Sequence, residues 1–123
     1  MAAYRPGVSQ QYQTLIDWLV HACHEGQGRI GPDRVRRGVW SSEAVRRPDE
    51  LPDEQRINAL LAGLSADDRE VIARMLGEAF QSGVHEALVV LHAGQVPPFE
   101  DGYEGTPFHD FTGRLQGWPW PDG

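Results

Sequence analysis

Apolar side chains recur at three- and four-residue spacing in separate stretches of this chain, and that period commits much of it to helix. Tyr12, Leu15, Ile16, Leu19 and Cys23 mark an amphipathic helix over about residues 10–24, with Ser9 placed to cap its start. Ile57, Leu60, Leu61 and Leu64 mark a second, opened by Pro52 and Asp53 at the end where proline and acids are favoured. Ser65-Ala66-Asp67-Asp68 resembles a capping box with Asp in place of Glu. Val71, Ile72, Met75, Leu76, Ala79 and Phe80 then carry a third stripe to about residue 82, where Gly83 is a natural stop. The second and third helices are expected to form a hairpin. Residues 84–93 read both ways: Val89-Val90-Leu91 suits a buried strand, while Glu86, Ala87 and Leu88 favour helix. Helix is the reading adopted, ended by Gly94.

Two stretches break the pattern. Residues 26–50 contain Gly26, Gly28, Gly31, Pro32, Gly38 and Pro48, which predicts a long Arg-rich loop with at most a helical turn near residues 32–37. Trp40 is expected to pin its middle to the core. Residues 95–123 combine many Pro and Gly with Phe99, Tyr103, Phe108, Phe111, Trp118 and Trp120. So many aromatics are costly to leave in water, so this arm is expected to wrap the helices, with one or two short strands, a β-hairpin, around residues 108–115. Burial is expected for Trp118 and Trp120, with one of them partly exposed. The fold expectation is therefore a mostly α chain of three to four helices, a single domain over residues 1–123, with a long Arg-rich loop and an irregular aromatic C-terminal arm.

A length of 123 residues suits one domain with enough core to fold without disulfides. Cys23 is the one cysteine, which fits a reducing compartment, and nothing near the N-terminus reads as a signal peptide. The apolar runs near residues 15–23 and 87–93 are too short to cross a bilayer. A cytoplasmic protein with no membrane association is expected.

All 11 basic residues are arginine, a bias expected of a GC-rich bacterial genome. Net charge is −7, which argues against a general nucleic-acid binder. The charge is segregated: residues 28–47 carry Arg29, Arg34, Arg36, Arg37, Arg46 and Arg47 against Asp33 and Glu43, whereas the rest of the chain is strongly acidic. Arg34, Arg36 and Arg37 with Trp40 form the candidate binding group, because guanidinium groups recognise carboxylates and phosphates bidentately. Two answers to this positive cluster are open: the chain's own acids, or an acidic partner protein or anionic ligand.

Catalytic and metal constellations are thin. His21 and His24 could share a helix face, but no second ligand cluster accompanies them, and no cofactor is expected. Cys23 falls on an apolar face, where a thiol acts as a small hydrophobe. No serine stands in a Gly-x-Ser-x-Gly elbow, and Gly26-Gln27-Gly28 lacks the rest of a phosphate-binding loop. His85 and His92 would share a helix face, and His109-Asp110 resembles the doublet of metal-dependent phosphohydrolases. Asp110 is otherwise expected to cap a turn or to pair with Arg114.

Residues 57–91, INALLAGLSADDREVIARMLGEAFQSGVHEALVVL, and the later GTPFHDFTGRLQGWPW resemble an uncharacterised family of short bacterial proteins, a domain of unknown function. The terminal signature of that family would correspond here to Asp110, Phe111, Arg114, Gly117, Trp118 and Pro119. The resemblance implies no activity. Two function classes follow from the residues: a small non-catalytic interaction protein of adaptor, inhibitor or immunity type, or a small metal-dependent hydrolase or ligand-binding domain in which His85, His92, His109 and Asp110 converge.

Overall fold

The computed structural model describes residues 9–103 and 105–121. Among them are six helices and no strand: α1 (Gln10–His24), α2 (Gln27–Arg37), α3 (Ser42–Arg46), α4 (Pro52–Ala62), α5 (Ala66–Ala93) and α6 (Pro107–Leu115). The mostly α class is as the periodicity predicts. By compactness the chain divides into two units, Met1–His24 with Gln81–Gly123, and Glu25–Phe80, the boundary falling inside α5.

In the first unit, α1 packs along α6. Ser9 caps α1 as expected, its Oγ accepting from the Tyr12 N–H at 3.2 Å. Tyr12, Ile16, Leu88, Pro107 and Phe111 are fully buried. Each large apolar side chain so buried contributes about 1.5–3 kcal/mol before entropy.

Three expectations are corrected in this unit. Gly83 does not stop the third helix; α5 runs through it to Ala93, because the apolar stripe resumes at Leu88 and outweighs one interior glycine, which costs about 1 kcal/mol. Residues 107–115 are helix, not strand: the Thr106 Oγ accepts from the His109 N–H and Pro107 fills the first turn, a start signal the surrounding aromatics obscured. Asp110 does not pair with Arg114. Its carboxylate is buried and accepts from the Tyr12 hydroxyl at 2.5 Å and the Tyr103 N–H at 2.8 Å. Arg114 instead donates to Asp17 at 2.8 Å and to the Trp118 carbonyl at 2.7 Å.

The aromatic arm closes over α1 and α6. Trp120 donates its indole N–H to Asp17 at 2.9 Å, stacks edge-on against Tyr12 and lies under the Arg114 guanidinium. Trp118 rests on Gly113 yet remains 58% exposed, so of the two terminal tryptophans it is the more open.

In the second unit, Val35, Leu61 and Ala73 form a buried cluster from α2, α4 and α5, flanked by Trp40, Leu64, Ile72 and Leu76. Pro52 opens α4, and the Ser65 Oγ accepts from the Asp68 N–H at 3.1 Å to start α5, both as the sequence predicts. The Arg-rich segment is the main correction. It is not a long loop but two helices, α2 and α3, joined by four residues. Its glycines and prolines serve close packing: Pro32 is buried within α2, and a side chain at Gly31 would meet the Trp40 ring. Packing thus overrides weak local propensity here.

Candidate binding cleft

The segment that leaves α2 is built to present charge at a fixed angle. Gly38 ends α2 in the left-handed conformation, φ 77°, with its N–H donating to the Val35 carbonyl and the Val39 N–H to the Arg34 carbonyl. This is a Schellman stop, and it suits glycine because a Cβ at positive φ is strained. Val39, Trp40 and Ser41 then turn the chain into α3, where the Ser41 Oγ caps by accepting from the Ala44 N–H at 3.1 Å.

Asn58 on α4 clamps that turn. Its buried Oδ1 accepts from the Trp40 N–H at 2.7 Å and the Ser41 N–H at 3.0 Å, and its Nδ2 donates to the Ser41 carbonyl at 2.9 Å. One side chain therefore satisfies three backbone groups that no helix or sheet serves. The clamp sets Trp40, whose ring packs by Gly31 on one side, while the Arg34 guanidinium lies 5.6 Å from the ring centroid. That distance is within cation–π range.

The result is a cleft of about 630 Å³ lined by Arg34, Arg37, Val39, Trp40, Ser41, Ser42, Glu43 and Glu54. A second hollow, about 300 Å³, shares Val39 and is otherwise lined largely by Val45, Pro48, Ala59 and Ala62, with Asn58 and Gln55. Of the four residues the sequence nominated, the structure brings Arg34, Arg37 and Trp40 together. Arg36 lies outside. Its guanidinium makes two bonds to Glu70, the shorter 2.8 Å, and a third to Asp33 at 3.1 Å. The hydrogen bond from Arg36 holds the Glu70 carboxyl below its ordinary range, and the same bond raises Arg36.

The ion pairs sort the basic segment. Arg29 meets Glu25 and Asp33, Arg36 meets Glu70 and Asp33, Arg46 meets Glu43, and Arg47 meets Glu43 and Glu50. Arg34 and Arg37 have no carboxylate partner among the described residues. They are the two arginines of the segment that line the cleft.

The second nominated group does not converge on one point. His85 and His92 both stack on Phe108, with ring centroids 5.3 and 5.9 Å away, and the Phe99 carbonyl lies 3.1 Å from His92 Nδ1. His109 is exposed, and Asp110 is engaged by Tyr12 and Tyr103. Burial first, and then the hydrogen bond to Asp110, push the Tyr12 phenol far above its ordinary range, which makes it a structural donor. Cys23 is buried and its thiol is pushed up by that burial, the opposite of an activated nucleophile. Among the described residues no three His, Cys, Asp or Glu side chains stand where they would hold a metal ion.

A model of a family of unknown function, DUF6547, matches residues 7–122. The chain belongs to DUF6547. No curated protein and no solved structure matches it. The DUF6547 match takes in both the Arg34–Arg37–Trp40 cleft and the terminal stretch from Asp110 to Pro119. In that stretch Asp110, Phe111, Arg114 and Trp118 each hold α6 or the arm in place. Gly117 supplies the left-handed stop of α6, with φ 85°. Packing thus accounts for Asp110, Phe111, Arg114 and Gly117, while the exposed Trp118 and Pro119 line a small surface hollow beside them. Of the arginines without a carboxylate partner among the described residues, Arg34 and Arg37 are the two that line one cleft with Trp40.

Sequence reasoning missed Asn58, Val39 and Glu54. An asparagine inside a leucine-rich helix was the available signal for the first, since a buried amide needs partners it can satisfy.

Proposed function

We propose that the protein is a non-catalytic interaction protein that receives an anionic group of a partner in the Arg34–Arg37–Trp40 cleft. One observation carries this reading. Within a segment of six arginines, four are answered by the chain's own acids, and the two with no acidic partner among the described residues face the same cleft. Surface pairs of the first kind add little to stability. A pair of unanswered guanidinium groups is instead a recognition element, able to bind carboxylate or phosphate by parallel hydrogen bonds.

Pre-organisation supports the same reading. The Asn58 clamp, the Gly38 stop and the Arg34–Trp40 stack fix the lining before a partner arrives, which lowers the ordering cost of binding. No helix among the described residues is long and apolar enough to cross a membrane. With its lone, buried Cys23, the protein is proposed to act in a bacterial cytoplasm.

The test begins with capture of the partner from the native host, followed by calorimetric titration of the purified pair. Arg34→Ala with Arg37→Ala should abolish binding and lower the melting temperature by only a few degrees, the scale of one exposed cation–π contact of about 0.5–1 kcal/mol. Affinity of the parent protein should fall with added salt, since exposed charges are screened within about 10 Å at 0.1 M. Equal affinities for parent and double variant across the salt range would overturn the proposal.

A further inference from the structure

We infer that the occupant of the cleft is an acidic peptide segment, its side-chain carboxylate held between Arg34 and Arg37 and a neighbouring aliphatic side chain seated in the hollow beyond Val39. This rests on the reading of the cleft as a partner site and adds what that site accepts. Three features of the lining select this chemistry.

The first is charge. Arg34 and Arg37 share the cleft with Glu43 and Glu54, so the lining as a whole is close to neutral. A single carboxylate can sit against the guanidinium groups and remain clear of the glutamates. A phosphate dianion or a polyanion would place extra negative charge near Glu43 and Glu54, and like charges brought together oppose binding. Glu43 is already engaged by Arg46 and Arg47, which fixes its position at the cleft edge.

The second is the adjoining hollow. Val39 belongs to both cavities, and Val45, Pro48, Ala59 and Ala62 make the far one mainly apolar. A ligand of charge alone leaves this surface wet. A ligand with an aliphatic group next to its carboxylate buries it, and removing that apolar surface from water favours binding. The third is the polar rim, where the exposed Ser42 hydroxyl can meet a peptide backbone.

The test is heteronuclear NMR titration of the intact protein with four probes. They are the terminally blocked pentapeptide Gly-Leu-Asp-Leu-Gly, the same peptide with Asn for Asp, the same peptide with Gly for both Leu, and inorganic phosphate. The first peptide should shift the Val39 and Ala59 amide signals and the Trp40 indole signal. The Asn and Gly peptides should bind about tenfold more weakly or worse, and phosphate should leave these signals unmoved. Ala59→Gln, at an exposed position lining the hollow and without added charge, should weaken the leucine-bearing peptide and leave the response to the Gly-for-Leu peptide unchanged.

Equal binding of the leucine-bearing and Gly-for-Leu peptides would overturn the inference and leave the cleft as a plain anion site. Phosphate shifts as large as those of the first peptide would do the same. Absence of any shift with all four probes would also overturn it. The partner titration of the arginine double variant would then decide the broader reading by itself.

Discussion

Replacing Asn58 by alanine removes the device that holds the cleft together, and its cost follows from three hydrogen bonds. The Trp40 N–H, the Ser41 N–H and the Ser41 carbonyl lose partners at 2.7, 3.0 and 2.9 Å. A net value of about 1 kcal/mol per bond, with a larger penalty for groups that stay dry, gives a loss of about 2–4 kcal/mol. Trp40 and Ser41 are half-exposed, so water replaces part of what is lost and the total does not climb further. For a chain of this size that is a fall in melting temperature of roughly 10 °C. Asn58→Asp keeps an acceptor for both N–H groups but turns a carboxylate toward the Ser41 carbonyl, so it should fall between parent and alanine. Thermal denaturation followed by circular dichroism measures all three proteins. An Asn58→Ala protein that melts within about 2 °C of the parent, less than 1 kcal/mol, would refute the clamp.

Three further outcomes are expected. Gly83→Ala should stabilise by about 0.5–1 kcal/mol, because Gly83 is a mid-helix, exposed position with open space where its Cβ would go; a destabilised variant would mean α5 is broken there. Gly102→Ala should cost several kcal/mol or prevent folding, since its Cβ would stand 2.7 Å from Asp110 Oδ2 and 2.8 Å from the Tyr12 oxygen; a cooperative melt at the parent temperature would contradict that packing. Because the Tyr12 phenol is raised in the folded protein, its contribution is complete below the ordinary tyrosine pKa and is lost as pH rises beyond about 10. Tyr12→Phe should therefore lower stability at neutral pH by about 1–3 kcal/mol and flatten the alkaline fall, and an unchanged alkaline profile would remove Tyr12 as its cause.

Local signals and tertiary ones were unequally legible in the sequence. Ser9, Pro52 and Ser65 act within a turn of the helices they start, so α1, α4 and the opening of α5 could be read directly. Helix α2 could not, because the residues that argue against helix there, Gly28, Gly31 and Pro32, are tolerated through packing with partners distant in the chain such as Leu76. The same distance effect divides the candidate site. Arg34, Arg37 and Trp40 stood out as an aromatic among arginines in an acidic chain. Glu70, which takes Arg36 out of the group, lies 34 positions along the chain, and no spacing rule connects the two. Asn58 was hidden for a related reason: its three partners are backbone groups of a turn 17 and 18 residues earlier, and backbone groups leave no trace in a sequence.

The central claim is that the basic segment divides into arginines that hold the fold's surface and arginines kept for a partner. Single alanine substitutions at Arg29, Arg34, Arg36, Arg37, Arg46 and Arg47, each titrated against the captured partner, test that division most directly. Losses of about tenfold or more are expected at Arg34 and Arg37, with affinities near the parent's at the other four. A loss spread evenly over all six, or one concentrated at Arg36, would contradict it.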